Sequence, residues 1–529
     1  MQELPWWQRA VIYQVYPRSF QDSDGDGVGD LNGLIRRLPY LVELGIDAIW
    51  LSPIFPSPMA DFGYDISDYE GVHPIFGTLD DLDRLIADAH TAGIKLILDL
   101  VPNHTSIEHP WFVESRSSRS SPKRDWYIWK DGTPDRRPPN NWLSEFGGSG
   151  WEYDPQTGQF YYHTFLAAQP DLNWRNPAVR AAIYDAMRFW FRRGIDGFRV
   201  DAVWYLIKDE QFRDNPINPD FRPTSPPNHT LLPLYTADRP EMEQVIAEMR
   251  RVADEFLDRL LIGELYLPIE RLVAYYGRNL DGVHLPFNFT LLTAAWRPDA
   301  VADLIREYYA ALPPGGWPNW VLGNHDRPRV ATRVGPDQAR VAAMLLLTLH
   351  GTPTIYCGDE IGMEQVQIPP DRVHDPVELN VPGFAMGRDG CRTPMQWNAG
   401  EHAGFSTIKP WLPLEPGYQT RNVERQRYDP NSLLTFYRSL LTLRRRSPAL
   451  IEGRLHSVNV ENGVLSFVRE TDKDRVTVLL NLTGAPASIS SELIKPGSRI
   501  LLSSSAHRHP NTAVGSLQLA SDEGAMIDR

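Results

Sequence analysis

The sequence predicts an α/β protein: a (β/α)8 TIM barrel with a loop-rich subdomain inserted after strand 3 and a C-terminal antiparallel β-domain. Two observations carry that prediction. Short runs rich in Val, Ile and Leu alternate eight times with helical patterns, as expected of buried parallel strands returned by helices. Four of those runs also deliver polar chemistry: LILDLVPNHT brings Asn103 and His104, GFRVDAV brings Asp201, LLIGEL brings Glu264 and WVLGNHD brings Asp326. The strands of a parallel barrel end on one rim, so groups distant in sequence meet there.

The eight strands read in order as VIYQVYP from Val11, IDAIWLSP from Ile46, IKLILDLV from Ile94, IDGFRVDAV from Ile195, RLLIGEL from Arg259, GVHLPFNF from Gly282, NWVLGN from Asn319 and TPTIYCG from Thr352. Between them, TLDDLDRLIADAHTAG has Thr78 as N-cap and Gly93 as terminator. The segment from Pro177 to Gly194 places proline in the first helical turn. Thr105 to Pro170 is dense in Trp, Tyr, Pro, Gly and Ser without a helical period. A loop that long is expected to fold as a unit of its own. Glu360 to Asn431 is a second irregular stretch, and the helix starting near Ser432 closes the barrel. Period-two patterns (VLSFVRE, RVTVLLNLT, SRILLSS) then predict the terminal β-domain. The expected organisation is barrel at 1–104, inserted subdomain at 105–170, barrel again at 171–451 with the 360–431 insertion, and β-domain at 452–529.

Composition narrows the function. The 529 residues carry a net charge of −14, which disfavours nucleic acid and anionic membrane as partners. The longest apolar run, Val341 to Leu349, is far shorter than the ~20 residues of a membrane-spanning helix. Cys357 and Cys391 are the only cysteines and are expected as free thiols. The start, MQELPWWQRA, lacks the basic and apolar regions of a secretory signal, so a cytoplasmic location is expected. A monomer or homodimer is expected.

The loop QDSDGDGVGDLNG sets Asp22, Asp24, Asp26 and Asp30 at alternate positions, with a Val28 carbonyl available. Oxygen donors alternating with glycines are how a loop wraps a hard cation, Ca²⁺ or Mg²⁺, although the closing glutamate of a calcium hand is missing. The three strand-end acids have no cysteine partners in their runs, a pattern suited to acid/base and nucleophilic work on a neutral substrate. Arg199 lies two residues before Asp201, on the same side of the strand, where its charge can hold the carboxylate ionised.

The segments DLVPNH (99–104), GFRVDAV (197–203), GEL (263–265) and GNHD (323–326) resemble, in order and spacing, the four signature regions of the α-amylase clan, glycoside hydrolase family 13. QPDLNW (169–174), NHTSIEHPWF and RTPMQW (392–397) resemble its α-glucosidase and oligo-1,6-glucosidase branch. That resemblance implies Asp201 as nucleophile, Glu264 as general acid/base and Asp326 as transition-state stabiliser. It implies Asp61 and Tyr64 as walls of the first sugar subsite, Arg392 as the arginine paired with Asp61, and His104 and His325 as ligands of sugar hydroxyls. Phe146 and Phe165 are expected to line the site from the inserted subdomain. Ala202 follows the nucleophile where α-1,6-specific relatives carry valine, which points to α-1,4 linkages. The expected activity is a retaining exo-α-glucosidase acting on short maltose- or sucrose-like glucosides, with glucosyl transfer as a side reaction. The rival is a dedicated α-glucosyltransferase or a trehalose-forming isomerase. A non-catalytic sugar-binding relative is disfavoured because all three acids are present. The 208–240 loop departs from the family pattern and is expected to shape the acceptor side.

Overall fold

A computed structural model describes residues 4–489, 494, 497–505, 507, 508, 510–514 and 517–528. Residues 1–3 and 529, the outer ends of the expected domains, lie outside the described residues. Eight parallel strands form the barrel: β1 (Ile12–Val15), β2 (Ala48–Leu51), β3 (Lys95–Leu100), β4 (Gly197–Val200), β5 (Leu260–Gly263), β6 (Leu285–Pro286), β7 (Asn319–Val321) and β8 (Thr352–Tyr356). Ladders run continuously from β7 through β8, β1, β2, β3, β4 and β5 to β6. Each strand falls within its predicted run, because strands buried on both faces leave unbroken apolar signatures.

One seam departs from the ladder pattern. The predicted sixth strand, GVHLPFNF, is reduced to Leu285–Pro286, and no ladder joins β6 to β7 among the described residues. Pro286 has no N–H to donate, so the ladder cannot continue through it. The side chain of Asn319 closes the gap instead. Its Nδ2 donates to the Pro286 carbonyl, and its Oδ1 accepts from the Asn288 N–H at 2.9 Å.

Alternation along the strands decides what the rim carries. Ile12, Ala48, Trp50, Ile97, Leu260, Ile262 and Val321 form one apolar cluster, while Tyr13, Ile49, Leu51, Leu96, Leu98, Phe198 and Leu261 belong to another shared with the surrounding helices. The first set fills the lumen and the second packs outward. Asp99 and Glu264 continue the inward parity of Ile97 and Ile262, and Asp201 continues that of Arg199. Helices Leu31–Leu44, Leu79–Thr91, Pro177–Arg193, Met242–Asp254, Pro298–Ala311, Ala339–Thr348 and Leu433–Arg446 cover the outside. Thr78 and Asp81 form a reciprocal cap on the second of these, and Asn176 caps the third ahead of Pro177.

Between β3 and β4 the chain forms a helix at Pro110–Ser117, which sequence periodicity had not indicated, and a three-stranded antiparallel sheet. That sheet has its own aromatic core of Ile128, Trp142, Trp151, Phe160 and Tyr162. The 208–240 loop is latched to it: Asn141 Nδ2 donates to the Asn215 carbonyl at 2.8 Å, and the Trp142 indole donates to the Arg213 carbonyl at 2.8 Å. After the last helix, Arg454–Glu461, Val464–Glu470 and Arg475–Asn481 begin a six-stranded antiparallel sheet. Cys357 and Cys391 are buried and free. Among the described residues no helix is long and apolar enough to cross a membrane.

Asn319→Ala leaves the Asn288 N–H and the Pro286 carbonyl without their buried partner. It is expected to lower stability by about 2–4 kcal/mol in urea unfolding. A loss below about 0.5 kcal/mol would show that the seam is held by other means.

Candidate active site

The carboxyl ends of β3, β4 and β5 bring Asp99, Asp201 and Glu264 around a single cation. Arg199 Nη1 lies 2.7 Å from both Asp99 Oδ1 and Asp201 Oδ1, and Nη2 lies 2.8 Å from Glu264 Oε2. The guanidinium is 1% exposed. Glu264 Oε2 also accepts from the Ala202 N–H at 2.8 Å. Ala202 reaches that position with φ of +44°, a left-handed backbone that disfavours branched side chains. Burial pushes the Asp99 carboxyl up to about 7 and raises Asp201 well above the carboxylate range, against the pull of Arg199. Asp99, Asp201 and Glu264 thus share one positive charge at the rim.

Asp326 has the opposite balance. Burial works against its ionisation, but Arg392 at 2.9 Å and Arg388 at 3.5 Å overcome that and hold it below the usual range. His325 adds no charge of its own, since burial pulls its ring down to about 3. It is one link in a chain of fixed polarity. Gln14 Nε2 donates to His325 Nδ1 at 2.7 Å, Nε2 meets the Tyr64 hydroxyl at 2.6 Å, and that hydroxyl donates to Asp99 Oδ2 at 3.2 Å.

A cavity of about 540 Å³ opens over these groups. Asp61, Tyr64, His104, Phe146, Phe165, Asp201, Ala202, Glu264 and Asp326 all line it. Arg199, His325 and Arg392 are not among the lining residues; they are buried beside it, Arg199 against Asp99, Asp201 and Glu264, and Arg392 against Asp326. One correction concerns the partner of Asp61. It is Arg388, whose Nη2 lies 2.7 Å from Asp61 Oδ1 and 2.7 Å from Asp375 Oδ1, while Arg392 serves Asp326 and the His325 carbonyl. Burial still raises Asp61 to about 6, Arg388 notwithstanding. The two arginines are four residues apart in one irregular segment, and no periodicity tells them apart.

Several lining residues carried no recognised sequence signal. Trp204 and Tyr205 follow GFRVDAV, and Tyr266 follows GEL, so both motifs extend further than their acids. Glu145, Asn228 and His229 come from the inserted subdomain and the 208–240 loop, and Arg327 follows Asp326. The Tyr205 hydroxyl donates to Glu145 Oε1 at 2.7 Å, and Asn228 Nδ2 donates to the Glu145 carbonyl at 3.0 Å.

In the aspartate-rich loop, oxygens of Asp22, Asp24 and Asp30 lie within 4.8 Å of one another. Asp26 is not in that group: it is exposed and accepts from the Val28 N–H at 2.8 Å. Asp22 also accepts from Ser406 Oγ at 2.6 Å, and Asp30 caps the helix that follows. The all-oxygen donor set fits a hard cation.

A buried arginine gripping carboxylates at the open end of a (β/α)8 barrel defines a glycosidase-like site, and comparison with known proteins agrees. The chain matches the family model "Alpha amylase, catalytic domain" over residues 14–453. It is 43% identical to a "Probable alpha-glucosidase" of Rhizobium meliloti (strain 1021), covering 91% of this chain and 90% of that one. Its fold superposes on the alpha-glucosyl transfer enzyme XgtA with a TM-score of 0.94 and 39% identity, covering both chains completely. It also superposes on the trehalulose synthase MutB of Pseudomonas mesoacidophila MX-45, with a TM-score of 0.89 and 35% identity over 99% of this chain and 100% of that one. The protein belongs to the α-amylase family of glycoside hydrolases, glycoside hydrolase family 13.

Arg388→Ala strands Asp61 and Asp375 and leaves Asp326 with Arg392 alone. Denaturant unfolding is expected to show a loss of about 3–5 kcal/mol. A loss under about 1 kcal/mol would refute the clamp.

Proposed function

We propose that the protein is a retaining, exo-acting α-glucosidase that releases α-glucose from short α-1,4-linked glucosides, maltose-like or sucrose-like. The observation that carries this reading is the bridging of Asp201 and Glu264 by one guanidinium inside a cavity of disaccharide scale. Carboxyls gripped by a single small cation suit the ~5–5.5 Å spacing of double displacement better than the wider gap an inverting enzyme keeps for water. In the first step Asp201 Oδ attacks the anomeric carbon, the bond to the aglycone oxygen breaks, and the Glu264 proton passes to that oxygen. In the second, Glu264 takes a proton from water, which attacks the same carbon and releases Asp201. Two inversions restore the α configuration.

Asp326, held ionised by Arg392 and Arg388, supplies negative charge where the oxocarbenium-like transition state gains positive charge. Asp61 and His104 bind hydroxyls of the terminal sugar, and Tyr64 offers it an aromatic face. The Asp61–Arg388 pair closes the inner end of the cavity, which favours removal of one unit at a time. Ala202 leaves room for an α-1,4 aglycone. Glu145, Asn228 and His229 bound the aglycone side and confine it to short leaving groups. The covalent intermediate is open to sugars and alcohols as well as water, so glucosyl transfer accompanies hydrolysis.

The likeness to a glucosyl-transfer enzyme and a trehalulose synthase supports a second reading, in which transfer or isomerisation dominates over hydrolysis. NMR of reactions with maltose, isomaltose, sucrose and trehalose separates the two. Free α-glucose as first product from maltose or sucrose is the expected result. Predominant new disaccharides would favour the second reading, and β-glucose as first product would overturn both.

For the aspartate-rich loop we propose a structural Ca²⁺ or Mg²⁺ held by Asp22, Asp24 and Asp30. Ligand binding to the folded state alone stabilises it by mass action. EDTA is therefore expected to lower the melting temperature by several degrees, with recovery on adding Ca²⁺ or Mg²⁺; an unchanged melting temperature would refute the site.

A further inference from the structure

His104 is buried, 1% exposed, and burial pulls its ring down to about 4, so the imidazole is neutral and carries one proton. Three polar neighbours compete for its two nitrogens. Nδ1 lies 3.2 Å from Asn103 Nδ2, while Nε2 lies 3.1 Å from the Tyr64 carbonyl and 3.1 Å from Gln169 Nε2.

The Asn103 amide is not free to turn over. Its Oδ1 accepts from Lys208 Nζ at 2.8 Å, and an ammonium has only donors to offer. Its Nδ2 donates to Asp171 Oδ2 at 3.1 Å. The remaining Nδ2 hydrogen is directed at His104 Nδ1, which can receive it only as an acceptor. Gln169 is fixed as well, since the Leu166 N–H donates to its Oε1 at 3.1 Å and its Nε2 donates to Asp61 Oδ2 at 3.2 Å.

The two tautomers therefore differ in what they leave unpaired. With the proton on Nε2, Asn103 donates to Nδ1 and Nε2 donates to the Tyr64 carbonyl; one Gln169 hydrogen is left over. With the proton on Nδ1, only Gln169 is served, two donors face each other at Asn103, and the Tyr64 carbonyl loses its partner. An unmet buried group costs about 1–3 kcal/mol, so the first arrangement wins.

We infer that Lys208, acting through Asn103, fixes His104 as the Nε2–H tautomer, making these two residues positioning residues for the sugar pocket. Lys208 is itself 4% exposed and also pairs with Asp171, so its charge is held rigidly in place. The consequence rests on the glucoside reading above. The Nε2–H directed at the Tyr64 carbonyl is the only hydrogen the ring has to share, as a three-centre bond, with a sugar hydroxyl that in turn donates to Asp61. Groups unable to do both, such as an ether oxygen, leave a buried partner unmet.

The test reads the proton directly and needs no substrate. Neutron diffraction from the perdeuterated wild-type protein is expected to show the deuteron of His104 on Nε2; a deuteron on Nδ1 overturns the inference whatever the substrate proves to be. Because Lys208→Met strands buried Asp171, the companion variant is the exchange Asn103→Asp/Asp171→Asn. It conserves charge around Lys208 but sets an acceptor against Nδ1. With a melting temperature within a few degrees of wild type, it is expected to move the deuteron to Nδ1. KM for maltose should then rise about tenfold or more, with a smaller change in kcat. A moved deuteron with unchanged KM would overturn the proposed consequence for substrate binding.

Discussion

A shortage of positive charge at the barrel rim governs the site. Asp99, Asp201, Glu264, Asp326, Asp61 and Asp375 converge there, and the arginines paired with them are Arg199, Arg388 and Arg392. Six acids against three cations, all largely buried, cannot all ionise without a large desolvation cost. The surplus is resolved unevenly. Asp326 sits against two arginines and stays charged, whereas Asp99, Asp201 and Glu264 divide a single guanidinium. On the proposed glucosidase reading, such a site offers a proton to a leaving group and keeps negative charge for a cationic transition state. Two carboxyl roles thus arise from one residue chemistry, set by how cations are distributed.

That distribution ties distant parts of the chain together. Arg199 comes from β4, but Arg388 and Arg392 come from the irregular segment after β8. The same insertion reaches the aspartate-rich loop through Ser406 and Asp22. Lys208, just beyond β4, grips Asp171 and Asn103 at the junction with the inserted subdomain. The insertions act as charge donors and braces for the rim.

The barrel was legible because buried parallel strands write their presence as apolar runs, and the parity of Ile97 with Asp99, or Ile262 with Glu264, places the acids inward. The sixth strand was overread because GVHLPFNF sets Val283, Leu285, Phe287 and Phe289 at alternate positions, while Pro286 within it cannot sustain a ladder. Nine of the twelve catalytic and substrate-contact positions predicted for the pocket line the cavity, the three rim acids among them. Arg199 pairs with Asp201 as expected, whereas Arg392 pairs with Asp326 and not with Asp61, and His325 lies outside the cavity lining. Sequence marks them as belonging to the site but cannot say whether a long or planar side chain faces the opening or lies behind it. Arg388 was missed for a related reason: in an irregular segment, nothing local distinguishes which of two nearby arginines turns toward Asp61.

The two ends of the cavity therefore differ in origin. The inner end combines strand termini, whose positions are over-determined by ladders and lumen packing, with the Asp61–Arg388 pair from the connecting segments. The outer end is built from Glu145, Asn228 and His229, on segments held together by a few side-chain-to-backbone bonds. Those segments can change sequence and length without disturbing the barrel. On the proposed glucosidase reading, cleavage depends on the inner end, and the fate of the covalent intermediate depends on whether the outer end retains a sugar or admits water. Proteins that share this barrel and rim can on that account differ in product, and the balance between hydrolysis and transfer is set where the scaffold constrains the chain least.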